Sequence, residues 1–187
     1  MVSIRSLFTS AVAMMALPVM GALTPAQIAD GIKTLTTKSQ ALQPAAQSIT
    51  LVNAPLIIIG QGPFPKLIVG FTDIVSTATA IIGQFDGTAP ITSDADAKTV
   101  FDSFRAFVRV HQELLNILIG KAGILEKVPF VGQPIATVLR QVESVVDTIS
   151  ITLINTVEPK ANDLMTEANS LGSTLDLAIQ KYEGISI

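Results

Sequence analysis

The chain contains 187 residues, of which 49% are hydrophobic and only 14% are charged. This length predicts one domain with a substantial core. The formal net charge is −3 and the basic residues are scattered singly, which excludes the basic patch of a nucleic-acid-binding protein or a polybasic membrane anchor. With one histidine and no cysteine, the chain has neither disulfides nor the ligand set of an ordinary zinc site.

The first 22 residues have the layout of a cleaved secretory signal. A short region with Arg5 precedes an apolar run that is shorter than the roughly 20 residues of a membrane span, and the small residues Gly21 and Ala22 follow. We predict removal of residues 1–22, secretion, and a single domain over residues 23–187. The final residues, KYEGISI, carry neither a glycolipid-anchor signal nor a Ser/Thr/Pro-rich stalk, so we expect a released protein that does not span a membrane.

The first helix is predicted to begin at Pro25. Thr24 is a favoured N-cap residue, Gln27 completes a capping box with it, and proline is favoured at the first helical position. The stripe that follows has one polar member and consists of Ile28, Ile32, Leu35, Ser39 and Leu42. Pro44 is expected to bend or end this helix.

A helical pattern continues from residue 45 to about residue 53, and a short apolar piece follows over residues 56–59. Glycines and prolines then predict a loop over residues 60–65. The second long helix is predicted from Lys66 to Phe85. Lys66 and Asp73 argue against a membrane span in this segment.

The most regular amphipathic pattern runs from Ala97 to Ile119. Its apolar stripe consists of Ala97, Val100, Phe101, Phe104, Val108, His111, Leu115 and Leu118. Ser93 with Asp96 supplies an N-cap signal before it, and the helix is expected to end near Gly120 or Gly123. The only histidine of the chain therefore lies near the middle of a buried face.

Two more helices are predicted after an apolar loop over residues 123–133. One begins at Pro134 and ends near Val157, with Thr152 as the polar member of its stripe. The last follows Pro159 and is closed by Gly184. The predicted fold is therefore an all-α bundle of about five amphipathic helices without disulfides.

No catalytic motif accompanies these helices. His111 is the one candidate for a general base, but a lone histidine on an apolar stripe is more often a neutral core residue. Asp94 and Asp96 are better explained as charges favoured in the first turn of a helix. Arg105 and Arg109 lie opposite the phenylalanines, where a solvated face with nearby acidic side chains explains them. We predict a protein that is not an enzyme and needs no cofactor.

The composition of the predicted interior leaves two alternatives open. Small residues beside large aromatic ones either leave room for an acyl chain or fill a tight core. The side chains expected to line an acyl chain are Phe71, Ile74, Phe101, Phe104, Leu115 and Val142. The candidates for binding a polar head group are Ser39, His111 and Thr152.

The mature chain resembles the fungal hydrophobic surface-binding protein A and cell-wall galactomannoprotein family. The resemblance lies in a signal peptide, the segments TPAQIADGIKTLTTKSQALQPAAQSI and GPFPKLIVGFTDIVSTATAII, and a cysteine-free helical remainder. It implies a secreted helical bundle that binds apolar surfaces, or fatty acids in a central cavity, without catalysis. Some members of the family carry a glycosylated stalk and a wall anchor, and we expect this chain to have neither.

Three functional hypotheses follow. The first is a secreted carrier of fatty acids or similar lipids. The second is a surface-active protein that adsorbs to hydrophobic surfaces and recruits secreted hydrolases, using exposed apolar residues such as Val128, Phe130 and Val131. The third is a structural or antigenic mannoprotein associated with the cell wall.

Overall fold

The computed structural model describes residues 22–125 and 132–184. These residues form five α-helices, and two short 3-10 helices lie in the connections, at Ala54–Ile59 and Glu158–Lys160. The α-helices are α1 (Pro25–Gln47), α2 (Pro63–Gly83), α3 (Asp94–Leu125), α4 (Gly132–Thr156) and α5 (Ala161–Glu183). Within the two described ranges the only β pairing is an isolated bridge between Ile91 and Val157. The all-α prediction is confirmed.

The start of α1 has the predicted capping box. The backbone nitrogen of Gln27 donates to Thr24 Oγ1 over 3.3 Å, and the backbone nitrogen of Thr24 donates to Gln27 Oε1 over 2.9 Å. Pro44 lies inside the helix, which ends at Gln47. The prediction of helix to about Asn53 was wrong, because the side chain of Asn53 donates to the carbonyl of Ser48 and holds a turn instead.

Helix α2 begins at Pro63, three residues before the predicted start at Lys66. Both Pro63 and Pro65 fall in the first turn, where backbone N–H groups have no partner within the helix, so proline breaks no hydrogen bond there. By length and composition alone, α2 could also cross a membrane. Its apolar face, with Phe64 and Phe71, is buried in the bundle.

Helix α3 is longer than predicted. It passes through Gly120 and Gly123 and ends at Leu125, because Leu118 and Ala122 remain buried beside these glycines and packing outweighs the low helix propensity of glycine. Helix α4 begins at Gly132, slightly before the predicted Pro134. The predicted apolar loop residues 128–131 lie outside the described residues.

The five helices form a closed ring around one core. In the order α1, α3, α5, α4 and α2, each helix packs against the next, and α2 returns to α1. Buried residues from all five helices belong to a single hydrophobic cluster. The seam between α4 and α5 is therefore the one farthest around the ring from α1.

Candidate functional site

Ser39 of α1 and His111 of α3 form a hydrogen-bonded pair inside the ring. Both residues are fully buried, and 2.8 Å separates Ser39 Oγ from His111 Nδ1. Ser39 Oγ also lies 2.9 Å from the carbonyl oxygen of Leu35, one turn earlier in α1. Two of the three polar candidates named from the sequence are thus brought together by the contact between α1 and α3.

Aromatic side chains surround the imidazole of His111. The ring of Phe107 lies 5.2 Å from it, centroid to centroid, and the ring of Phe71 approaches it edge-on at 6.2 Å. Burial in this apolar setting lowers the pKa of His111 from 6.5 to about 4, because the charged imidazolium loses its hydration there. His111 is therefore neutral at pH 7, as predicted for a core histidine.

The second imidazole nitrogen, His111 Nε2, has no hydrogen-bond partner among the described residues. An unpaired polar atom in a core costs about 1–3 kcal/mol relative to a paired one. The pair therefore leaves one open hydrogen-bonding position deep in an apolar interior.

The protonation of Nε2 depends on the single hydroxyl proton of Ser39. If that proton is donated to the carbonyl of Leu35, His111 Nδ1–H donates to Ser39 Oγ and Nε2 is an acceptor. If it is donated to Nδ1, Nε2 carries the ring proton and is a donor. The same site can thus bind either a donor or an acceptor while the imidazole stays neutral.

Most of the predicted lining residues share this interior. The fully or almost fully buried ones are Phe71, Ile74, Phe104, Leu115 and Val142. Phe101 lies at the edge of the core, half-buried, with Lys160 Nζ 5.5 Å from the centroid of its ring. The structure therefore gathers five of the six into one cluster and leaves Phe101 at its margin.

The third polar candidate, Thr152, is not part of the interior. It is half-buried, and its hydroxyl donates to the carbonyl of Thr148 in its own helix over 2.8 Å. The buried polar residue of α4 is Ser150, only 4% exposed, whose hydroxyl has no partner among the described residues. Sequence reasoning missed it, although its spacing from Val146 and Leu153, both buried, is that of one helix face.

Among the pockets on the surface of residues 22–125 and 132–184 are four with volumes of about 550, 670, 420 and 310 Å³. All four are open to solvent, and Phe101 is the only predicted lining residue that borders any of them. The largest of these four lies between α4 and α5 and includes Ser150. Another, between the end of α1 and the start of α2, includes Lys66.

The charged groups lie mainly on the outside of the bundle. Arg105 binds Glu167 of α5 at 3.2 Å rather than Asp102 of its own helix, which binds Lys98. Glu113 accepts a hydrogen bond from Gln43 of α1. Across residues 22–125 and 132–184, no cluster of histidine and carboxylate side chains is suited to hold a metal ion.

No family model matches the chain, and no curated protein matches it in sequence. Two solved structures share its fold. AFMP4P in complex with palmitic acid superposes with a TM-score of 0.74 at 14% identity, covering 84% of this chain and 99% of that one. Ligand binding domain 1 of the MP1 protein of Penicillium marneffei, complexed with arachidonic acids, gives a TM-score of 0.70 at 14% identity, with 84% and 95% covered.

Proposed function

We propose that this protein is a secreted, non-catalytic carrier that binds a long-chain fatty acid inside the ring of five helices. The carboxyl group binds at His111 Nε2, and the acyl chain packs among the buried side chains around it. The observation that carries the proposal is the unpartnered Nε2 in an apolar interior. The fatty acids bound by two proteins of the same fold support it.

The head-group chemistry follows from the Ser39–His111 pair. An ionised carboxylate accepts a hydrogen bond from Nε2–H when Ser39 donates to Nδ1. A protonated acid instead donates its O–H to Nε2 when Ser39 donates to Leu35. In both cases the carboxyl group and His111 Nε2 become hydrogen-bond partners, and neither has another partner among the described residues of the interior. This favours the binding of a fatty acid over that of an alkane of the same length.

The acyl chain gains most of its binding free energy from leaving water. Burial of one CH₂ group is worth about 0.8 kcal/mol, so a long-chain acid has enough apolar surface to offset the opening of a packed interior. The aromatic rings of Phe71 and Phe107 already flank the imidazole. We place the first part of the chain against them, with Ile74, Leu115 and Val142 beyond.

Palmitate binding to single-residue variants tests this assignment. Ser39→Ala removes the bond that orients His111, and His111→Leu removes Nε2. We expect each to weaken palmitate binding by about tenfold, the worth of one buried hydrogen bond. The matched control is Ser103→Ala, because Ser103 is also buried, at 6% exposure, but donates only to the carbonyl of Thr99 in its own helix.

Isothermal titration calorimetry of refolded, lipid-free protein gives the affinities. Equal palmitate affinity in the wild type and the three variants would exclude the His111 site and would mean that the fatty acid binds elsewhere in the protein. No binding to the wild-type chain would exclude the carrier function itself.

Secretion is the second part of the proposal, and it has its own test. The chain expressed in a fungal host should be found in the culture fluid, with its N-terminus at Ala22 or Leu23 by mass spectrometry of the intact protein. A protein that retains Met1 inside the cell would contradict the predicted signal. Recovery in the wall fraction with O-linked mannose would favour the mannoprotein alternative.

One observation favours adsorption to hydrophobic surfaces as a second candidate function. Four large apolar side chains between α1 and α2 are exposed: Leu51 at 57%, Val52 at 87%, Leu56 at 37% and Ile59 at 65%. An exposed group of this kind is typical of an interaction surface. If it binds apolar surfaces, Val52→Asp with Ile59→Asp will abolish adsorption to an alkyl-coated sensor while palmitate affinity is unchanged. The recruitment of secreted hydrolases belongs to this alternative.

A further inference from the structure

The groove between α4 and α5 lies on the opposite side of the ring from α1 and Ser39. Its volume is about 670 Å³ and it is open to solvent. Its walls come from the two helices, with Asp147, Ser150, Ile151 and Ile154 on α4, and Met165, Ala168, Asn169, Gly172, Ser173 and Asp176 on α5. No basic side chain lines it.

The groove is polar at one end and apolar at the other. A short connection joins α4 to α5 and the two helices pack together, so they run antiparallel. This places Asp147 beside Asp176 at one end, and Ile154 beside Met165 at the other. Two helical turns separate Asp147 from Ile154, which makes the groove roughly 10 Å long.

The acidic end has more negative charge than its surroundings neutralise. Burial and the nearby Asp176 carboxylate raise the pKa of Asp147. Burial, a hydrogen bond with Asp176 and repulsion from Asp176 and Asp147 raise the pKa of Glu143. Arg140 opposes this effect on Glu143 from 3.9 Å, but it binds Glu183 more closely, at 2.6 Å.

Ser150 supplies an independent sign of a missing ligand. The residue lines the groove and is only 4% exposed, yet its Oγ has no partner among the described residues. Because Ser150 lies in the wall of the groove, a hydrogen-bond donor that enters the groove and displaces the side chains over this hydroxyl can supply the partner that it lacks. Ser150 is also one turn from Asp147, on the same face of α4.

We propose that the α4–α5 groove binds one molecule of a long-chain primary amine. The ammonium group binds at Asp147, Asp176 and Ser150. The alkyl chain lies along Ile151, Ile154 and Met165. A primary ammonium has three N–H donors and no acceptor. Two carboxylates and one serine oxygen match that number. A fatty acid is disfavoured here because its carboxylate would face like charge.

Gly172 gives the alkyl chain room to approach the backbone of α5. A Cβ atom built at Gly172 meets no other atom within 4 Å, so a larger side chain there would occupy the groove without disturbing the core. Gly120 of α3 has the same open surroundings but lies outside the groove. The two positions therefore form a matched pair for mutation.

Calorimetric titration of dodecylammonium into palmitate-saturated protein tests the proposal separately from the interior site. We expect saturable one-to-one binding that is at least about tenfold tighter than that of dodecanoate. Dodecyltrimethylammonium has the same charge and chain but no N–H donor, so it should bind severalfold more weakly than dodecylammonium. Dodecylammonium binding that disappears when palmitate is present would assign it to the interior and overturn the proposal.

Three variants locate the binding. Asp147→Asn with Asp176→Asn, and separately Gly172→Leu, should each weaken dodecylammonium binding about tenfold while palmitate affinity is kept. Gly120→Leu should leave both affinities unchanged. Far-ultraviolet circular dichroism checks that each variant is folded. Equal dodecylammonium affinity in the Gly172→Leu and Gly120→Leu variants would overturn the assignment to this groove, and so would a carboxylate double variant that binds like wild type.

Discussion

Two buried serines mark opposite sides of the ring, and they differ in what surrounds them. Ser39 is fully buried where α1 meets α3, and its hydroxyl reaches both a carbonyl and His111. Ser150 is almost as buried where α4 meets α5, but its hydroxyl has no partner and an open groove lies beside it. The difference shows that burial alone does not define the role of a polar side chain, since the first serine holds two helices together and the second does not.

Truncation of a large side chain on each side should give the largest contrast. Phe71→Ala removes a fully buried ring beside His111 and should lower the free energy of unfolding by about 3–5 kcal/mol. Met165→Ala in the groove should cost less than about 1 kcal/mol, because Met165 is 47% exposed. Urea denaturation of both variants measures the two values. Similar losses would mean that the α4–α5 seam is closed in solution.

The next largest effect is the pH dependence that His111 contributes at the contact between α1 and α3. The pKa of His111 is about 4 in the folded protein and 6.5 in an unfolded chain. Between these values the unfolded chain binds the proton and the folded chain does not, so stability is lost as the pH falls from about 6.5 to about 4. The full loss is about 3 kcal/mol.

Urea denaturation from pH 7 to pH 4 in wild type and in His111→Gln measures this contribution. The titrating carboxylates Glu143 and Asp147 are present in both chains, so their effects cancel in the difference. A difference between the two chains that stays constant with pH would show that His111 is not buried as the structure has it.

Replacement of each serine by alanine should destabilise the protein at Ser39 but not at Ser150. Ser39→Ala leaves His111 Nδ1 without its partner and should cost about 1–3 kcal/mol. Ser150→Ala removes a hydroxyl that has no partner to lose, so it should be neutral or stabilising by up to about 1 kcal/mol. Thermal denaturation measures both. A clear loss of stability in Ser150→Ala would reveal a hidden partner and weaken the case for a ligand in the groove.

The smallest expected effects concern two helical glycines. A Cβ atom at Gly70 of α2 would overlap the side chain of Leu42 in α1, so Gly70→Ala should be destabilising by about 1–2 kcal/mol in spite of the better helix propensity of alanine. Gly172→Ala meets open space and should gain up to about 1 kcal/mol. Gly70 lies at the contact between α1 and α2, and Gly172 lies at the contact between α4 and α5. Melting temperatures that shift in the same direction in the two variants would contradict the tighter packing at the first contact.

Local signals in the sequence were sufficient for the helices. The capping box of Thr24 and Gln27 and the apolar stripes depend only on neighbouring residues, and they placed all five α-helices. The ends were less predictable. Gly123 lies inside α3 and Asn53 lies outside α1, because tertiary packing and a side-chain hydrogen bond decide these positions rather than propensity.

The sequence identified two polar members of the candidate site, but it did not show that they bind each other, and it wrongly added Thr152. Ser39 and His111 stand out as polar members of apolar stripes. That they bind each other depends on α1 lying beside α3, which neither stripe specifies. Burial of Ser150 was not predicted, because α4 packs against both α2 and α5. The buried face of α4 is therefore wider than the single stripe through Ile149 and Thr152.

Nitrogen-15 magnetic resonance of the histidine ring tests the central proposal most directly. The chain has one histidine, so both ring signals of labelled protein belong to His111 without assignment. On titration with palmitate, we predict that the Nε2 resonance shifts strongly and saturates at one equivalent, since the carboxyl group supplies its missing partner. An Nε2 resonance that stays unchanged while palmitate binds would contradict the proposed head-group site.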